Sequence, residues 1–136
     1  MRMLIHIAAQ DRDKYITLKE ISEQQNISIK YLEQIVILLS KKNLLLSTRG
    51  PSGGYKLSRN PEEITIYEIL LASEGSMSPV SCLEGDDTTC ERADICPTRE
   101  IWKNLDKLIY DYLTSLTLAD IINKENSKKS ILNYSI

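Results

Sequence analysis

Three cysteines, Cys82, Cys90 and Cys96, lie close together in the second half of this sequence. Seven residues separate the first two and five separate the last two, and these intervening residues are rich in Asp, Glu, Gly and Thr. A segment this polar has little apolar surface to hold it in place, so either a bound group orders it or it is flexible. Soft thiolates suit an iron–sulfur cluster or zinc, although the short C-x2–4-C pairs typical of zinc fingers are absent. A redox-active dithiol and three incidental thiols are the alternatives that the spacing leaves open.

The 136 residues correspond to about one domain, and no apolar run approaches the roughly 20 residues that a membrane-spanning helix needs. We therefore expect a soluble cytoplasmic protein without a membrane partner. The odd number of cysteines argues against a disulfide framework in that compartment.

The charge is distributed unevenly along the chain, although the formal net charge is only −2. Residues 12–59 contain nine Lys/Arg and four Asp/Glu, a net charge of +5, whereas residues 60–100 contain two and ten, a net charge of −8. A basic first half can face nucleic-acid phosphates while the acidic half faces away. The alternative is an ordinary solvated surface.

The basic half begins with a helix-turn-helix pattern. Thr17 is a predicted N-cap with Glu20 three residues later, and the helix is expected to run to about Gln25. Asn26 is the predicted turn residue because asparagine tolerates left-handed backbone. Ser28 is the predicted cap of the second helix. In a helix-turn-helix, the second helix is the one that enters a DNA major groove.

The second helix has one apolar and one polar face. The predicted buried face comprises Ile29, Leu32, Ile35, Val36 and Leu39. The candidate DNA-contacting residues of the helix-turn-helix are Thr17, Ser28, Lys30, Tyr31, Glu33 and Gln34. Lys30 suits guanine or phosphate, Gln34 suits adenine, and Glu33 can accept from the cytosine amino group. A merely solvated polar face is the alternative.

A glycine-rich hairpin follows. The β-prone run 44–48 leads into the sequence RGPSGG, and Tyr55–Leu57 is the predicted returning strand. An arginine at the base of such a hairpin can enter a minor groove or contact a phosphate. The hairpin contributes Arg49, Gly50, Pro51, Ser52, Gly53, Gly54 and Tyr55 to the candidate DNA-contacting residues. The pattern as a whole predicts a winged helix-turn-helix.

A long amphipathic helix is predicted from Thr98. Its apolar residues are spaced by three and four over about five turns, more than a small core requires, so we predict a dimerisation helix; a simple core helix is the alternative. A two-fold dimer would present two recognition helices to a near-palindromic site on double-stranded DNA. The predicted fold is thus mainly α, with a small hairpin wing and a long C-terminal dimerisation helix. The predicted regions are the DNA-binding domain 1–72, the cysteine-containing sensor loop 73–97, the dimerisation helix and following segment 98–122, and a loose polar tail 123–136.

Enzymatic activity is not expected. The sequence has no nucleophile–base pair and no phosphate-binding loop, and its sole histidine, His6, lies in the predicted first helix.

Taken together, these segments resemble the IscR- and NsrR-like iron–sulfur transcription regulators over nearly the whole chain. The resemblance rests on ISEQQNISIKYLEQI, RGPSGGYKLSR, the three-cysteine segment, CPTREIW and SLTLADII, of which the YLEQ helix followed by RGPxGGY is highly specific. It implies a homodimeric repressor or activator whose promoter binding is controlled by an iron–sulfur cluster, usually 2Fe-2S, held by Cys82, Cys90 and Cys96. In the family the positions matching the recognition helix lie at the major groove, and the position of Arg49 reaches the minor groove. A thiol-based or small-ligand-responsive repressor without metal is the alternative.

The sequence departs from the family pattern in three places. Many IscR-like members have a histidine three residues after the third cysteine, where this chain has Arg99, which cannot act as an ordinary ligand. The first two cysteines are also further apart than the five-residue spacing of IscR. The chain begins within the family's first helix, and a longer natural protein would gain DNA contacts or, in NsrR-like members, a ligand from those residues. Candidates for a fourth ligand are Asp86, Asp87, Glu91, Asp94 and His6.

Overall fold

The computed structural model describes residues 1–84 and 90–134, which form six α-helices and one antiparallel β-hairpin. Two short 3-10 turns, Pro61–Glu63 and Ser81–Leu83, interrupt the connections. The elements are α1 (Arg2–Ala8), α2 (Leu18–Gln25), α3 (Ile29–Lys41), β1 (Leu45–Thr48), β2 (Gly54–Leu57), α4 (Ile66–Glu74), α5 (Arg99–Thr114) and α6 (Leu118–Tyr134). This architecture confirms the predicted fold class, with α2 and α3 forming the helix-turn-helix and the hairpin forming the wing.

The core lies where α1, α2 and α3 pack together, beneath the wing. Leu4, Ile21 and Leu32 come from these three helices and are fully buried. The predicted apolar face of α3 is largely correct, because Leu32, Val36 and Leu39 are buried. Ile29 is an error in that prediction: its side chain is 44% exposed because it lies in the first helical turn, beyond the edge of the core.

The two helix starts and the turn between α2 and α3 follow the predicted local chemistry. The Thr17 hydroxyl accepts a hydrogen bond from the Glu20 backbone N–H at 3.1 Å, and the Ser28 hydroxyl accepts one from Tyr31 N–H at 3.3 Å. Each hydroxyl therefore satisfies an N–H group that has no partner within its own helix. Asn26 adopts φ 51° and ψ 51°, the left-handed conformation expected for a tight corner.

The wing is joined to the body of the domain at its base. Tyr55 of β2 pairs with Ser47 of β1, and its backbone also forms two hydrogen bonds with Ile16, at 2.9 and 2.8 Å. Gly54 adopts φ +146°, and a Cβ built there would lie 2.4 Å from the Ile16 carbonyl oxygen. Only glycine allows the strand to approach this closely, which fixes the position of the wing relative to α2.

Helices α4 and α6 begin with the same capping arrangement. Thr65 and Glu68 exchange hydrogen bonds at the start of α4, and Thr117 and Asp120 do the same at the start of α6. Partial burial acts to raise the pKa of Glu68, but the hydrogen bonds from Thr65 and from Arg59, together with the Arg59 charge, lower it below its ordinary value. Both helix starts are therefore sharply defined.

The corner between α5 and α6 is attached to the start of α4 by the backbone. Ile66 N–H donates to Leu116 O at 2.9 Å, and Leu118 N–H donates to Ile64 O at 2.9 Å. Leu118 is also fully buried in the core. The last two helices are consequently connected to the winged helix-turn-helix through a short backbone bridge as well as through packing.

The predicted loose tail differs from the structure, because α6 continues to Tyr134. The Thr117–Asp120 cap starts the helix, and buried Leu118 fixes its first turn. An ion pair of 2.8 Å between Glu125 and Lys129 then supports the polar part. The polar composition of this segment led to the prediction of a loose tail, because composition carries no information about which residues pair with each other. Residues 135–136 of the predicted tail lie outside the described residues.

Helix α5 presents an apolar face that the described residues leave uncovered. The exposed apolar residues on this face are Ile101, Leu105, Leu108 and Tyr112, which follow one another at intervals of four, three and four residues. No helix within residues 1–84 and 90–134 combines the length and apolar character needed to cross a lipid bilayer.

Candidate nucleic-acid interface and cysteine segment

The N-terminal half of α3 presents its predicted DNA-contacting side chains to solvent. Lys30, Tyr31, Glu33 and Gln34 are all exposed, and the Tyr31 side chain is 55% exposed. Leu32, between them, is fully buried and holds this turn of the helix against the core. An exposed polar row on a rigid, capped helix can contact base edges in a major groove.

The capping hydroxyls add further donors at the same surface. Thr17 and Ser28 are exposed, and each uses an oxygen lone pair to accept from a backbone N–H. Each hydroxyl hydrogen therefore stays available to donate to a phosphate oxygen. Because α2 and α3 begin at these residues, the partial positive charge of both helix N-termini also favours phosphate there.

The wing separates into an exposed tip and a packed base. Arg49, Gly50, Pro51 and Ser52 are exposed, whereas the remaining predicted wing residues are half-buried. Tyr55 packs against the core, and its backbone bonds to Ile16. The strands of the wing therefore position its loop, and Arg49, the first residue of that loop, is exposed.

The three cysteines lie between α4 and α5, in the segment that connects the winged helix-turn-helix to the long helix. Cys82 is exposed in a 3-10 turn, and Cys90 and Cys96 are half-exposed at the two ends of a five-residue turn region. All three are free thiols. The chain turns between Cys90 and Cys96, where Ala93 N–H donates to Cys90 O at 2.9 Å.

Cys96 lies at the start of α5, where its thiolate is stabilised. The Thr98 hydroxyl is 3.5 Å from Cys96 Sγ. Hydrogen bonds from the Thr98 side chain and backbone lower the pKa of Cys96, assisted by the Arg99 backbone N–H and the Arg92 charge. Thiolate character is what metal binding and thiol oxidation both require. Thr98 was not identified as a site residue from sequence, although its position two residues after a cysteine and at a helix start could have indicated it.

The cysteines do not form a ready-made metal site in this conformation. Within residues 1–84 and 90–134, no group of three or more His, Cys, Asp or Glu side chains is placed to hold a metal ion. Among the proposed fourth ligands, His6 lies on α1 and bonds to Gln25, while Asp86 and Asp87 lie outside the described residues. The donors have the right chemistry for a cluster, but their described arrangement does not fit one without rearrangement.

The comparison of sequences and the comparison of structures both find regulators among the proteins similar to this chain. The Rrf2 family profile, described as iron-dependent transcriptional regulator, matches residues 1–124. Protein rrf2 of Nitratidesulfovibrio vulgaris Hildenborough is 37% identical over 121 residues, covering 89% of this chain and 80% of that protein. The structure of CymR (YrzC), the global cysteine regulator of B. subtilis, has a TM-score of 0.70 at 33% identity and covers 90% of this chain and 89% of CymR. The structure of T. potens IscR has a TM-score of 0.68 at 30% identity, with coverages of 91% and 80%.

Proposed function

The chain belongs to the Rrf2 family of transcription regulators, and on that premise we propose that it binds promoter DNA as a homodimer under the control of its three cysteines. The observation that carries this proposal is the exposed polar N-terminal half of α3. This helix is capped by Ser28, and the glycine-rich wing follows it in the chain. In this proposal α3 enters the major groove and Arg49 contacts the minor groove or a phosphate.

The homodimer accounts for the exposed face of α5. Leu108 and Tyr112 are 66% and 64% exposed, four residues apart on one face of the helix. A second α5 packed antiparallel or crossed against the first would cover this face, as helices do in bundles. Two-fold symmetry then places two recognition helices over a near-palindromic site.

Control by the cysteines follows from their place in the chain. The segment containing Cys82 and Cys96 connects α4 directly to α5, and these helices contact each other through Tyr67 and Tyr110, whose rings are 4.9 Å apart and edge-to-face. Helix α4 in turn packs on α3. A change in the cysteine segment can therefore reach both the recognition helix and the dimer helix.

We propose an iron–sulfur cluster, most simply 2Fe-2S, as the group on Cys82, Cys90 and Cys96. The similarity to T. potens IscR, the description of the family as iron-dependent and the three soft donors support this proposal. Such a group would supply redox chemistry when bound, and its binding would require the three thiolates to come together. The contribution of the chain is to provide thiolates, with Thr98 and Arg92 favouring that state at Cys96.

The second candidate is direct thiol sensing without metal. The dispersed, free cysteines and the similarity to CymR, described as a global cysteine regulator, favour it.

Visible absorbance with iron and sulfide analysis of protein purified without oxygen separates the two candidates. Charge-transfer bands with near-equal iron and sulfide support the cluster; a colourless protein after reconstitution overturns it and leaves thiol sensing.

DNA binding is tested independently of the sensor. Duplexes selected from a randomised pool are titrated at several salt concentrations with wild type, Lys30→Ala, Arg49→Ala and the control Lys41→Ala, which alters the far end of α3. Loss of a phosphate contact should weaken binding and reduce the salt slope by about 1, and loss of a base contact should relax sequence preference. Equal binding by wild type and both site variants would overturn the assignment of this surface.

A further inference from the structure

A cleft lies on the side of the domain formed by α1, the C-terminal end of α2 and α6. Its volume is about 500 Å³, within the roughly 300–1,000 Å³ typical of small-molecule sites. No residue of α3 or of the wing lines it, so it is separate from the proposed DNA surface. The lining residues that carry the argument are Arg2, His6, Gln25, Ile121, Lys124 and Lys128.

The cleft has an excess of positive charge. Within the described residues, Arg2 and Lys128 form no ion pair, and Lys124 has only the longer-range attraction of Asp120, whose pKa it helps to lower. Arg2 is instead oriented by donating from Nη1 to the Gln25 backbone oxygen at 3.2 Å. The remaining two lining charges, Glu125 and Lys129, neutralise each other in an ion pair of 2.8 Å.

His6 supplies a hydrogen-bonding group that lacks a partner. Its Nδ1 lies 3.4 Å from the Gln25 side-chain nitrogen. Its Nε2 is buried and has no hydrogen-bond partner among the described residues. A buried polar atom without a partner is unfavourable, so a ligand in the cleft would be stabilised by His6 once the imidazole turns to bring Nε2 to it.

We propose that this cleft binds a small organic anion through a carboxylate or phosphate group. The cations of α1 and α6 would pair with the anionic oxygens, and His6 would donate to one of them. Ile5 and Ile121 also line the cleft and can cover a short aliphatic portion of the ligand. A phosphate of DNA is the less favoured occupant, because the cleft opens between α1 and α6 and includes no part of the recognition helix.

The test uses the full chain, isotopically labelled, titrated with succinate and with inorganic phosphate while amide shifts and the melting temperature are followed. The site variant is Lys124→Ala with Lys128→Ala; alanine preserves the helix. The control is Lys103→Ala with Lys107→Ala, which removes two lysines at the same spacing on α5 and changes the net charge equally.

Saturable shifts at Arg2, His6 and Gln25 with at least one probe, and a melting temperature that rises with that probe, are expected. The site variant should bind about tenfold more weakly or worse, and the control should bind like wild type. Succinate binding alone would assign a carboxylate ligand, and phosphate binding alone a phosphorylated one. Shifts that never saturate, or that weaken equally in the control, would overturn the proposal. A site variant that instead loses DNA affinity and salt dependence would show that DNA phosphate occupies the cleft.

Discussion

Replacing Gly54 with alanine should displace the wing, because the backbone of Ile16 occupies the space where the new methyl group would lie. The added Cβ would be 2.4 Å from the Ile16 carbonyl oxygen and 2.6 Å from its carbonyl carbon, distances that require backbone movement. That movement breaks the two backbone hydrogen bonds between Ile16 and Tyr55. Ile16 is itself fully buried, so the domain cannot accommodate the change by exposing a surface residue.

The expected destabilisation from Gly54→Ala can be built from these contributions. Two hydrogen bonds are worth about 1 kcal/mol each. The positive φ of the backbone adds about 1–2 kcal/mol for a residue with a Cβ. Unfolding free energy should therefore fall by about 3–4 kcal/mol in total. Gly50→Ala is the matched control, because its φ is +101° but nothing lies within 4 Å of its Cβ. It should lose only the strain contribution, about 1–2 kcal/mol.

Urea unfolding of both variants gives the free energies, with unchanged m-values showing that the folded state stays compact. DNA affinity measured well below the melting temperature should also fall more for Gly54→Ala, since the wing base moves. Equal destabilisation by the two substitutions would show that close approach of β2 to Ile16 is unimportant and would refute the reasoning.

Three further predictions concern the cysteine segment, the α4 start and the dimer helix. Thr98→Val should raise the pKa of Cys96 and slow its alkylation by iodoacetamide near neutral pH, measured by peptide mass spectrometry, whereas Thr98→Ser should preserve the rate. Glu68→Gln should destabilise the protein by about 1 kcal/mol at neutral pH, because it weakens the cap and the Arg59 pair. Since the folded-state pKa of Glu68 lies below its ordinary 4.5, that stabilisation is complete above pH 4.5 and disappears as the pH falls through the lowered folded-state value. Leu108→Glu, at a position 66% exposed, should change subunit stability by less than about 0.5 kcal/mol but yield monomers in analytical ultracentrifugation.

Each of these predictions has a contrary outcome. Equal alkylation rates for the valine and serine variants would show that the Thr98 hydroxyl does not act on the thiolate. A stability difference between wild type and Glu68→Gln that stays constant from neutral pH to below 4.5 would exclude the charged form as its source. A Leu108→Glu protein that stays dimeric would place the subunit contact on another surface.

Local patterns in the sequence predicted the helix-turn-helix correctly because its helix starts and turn depend on short-range chemistry. The hydroxyls of Thr17 and Ser28 reach N–H groups only three residues away, and Asn26 adopts its left-handed conformation within one turn. Such interactions are encoded by neighbouring residues. The same approach failed at Ile29, since its exposure depends on where the core ends and not on helical spacing.

The amino-acid sequence by itself determined the fold class and the family resemblance, and it places three thiols close together along the chain. Only the tertiary structure decided that β2 of the wing is held to Ile16 and that Arg2 and Lys124 line one cleft. The physical reason is sequence distance. Helix caps and amphipathic faces arise from residues a few positions apart, so they can be read from the sequence. The contacts named here join residues separated by tens of positions, and a single sequence does not show which distant residues come into contact.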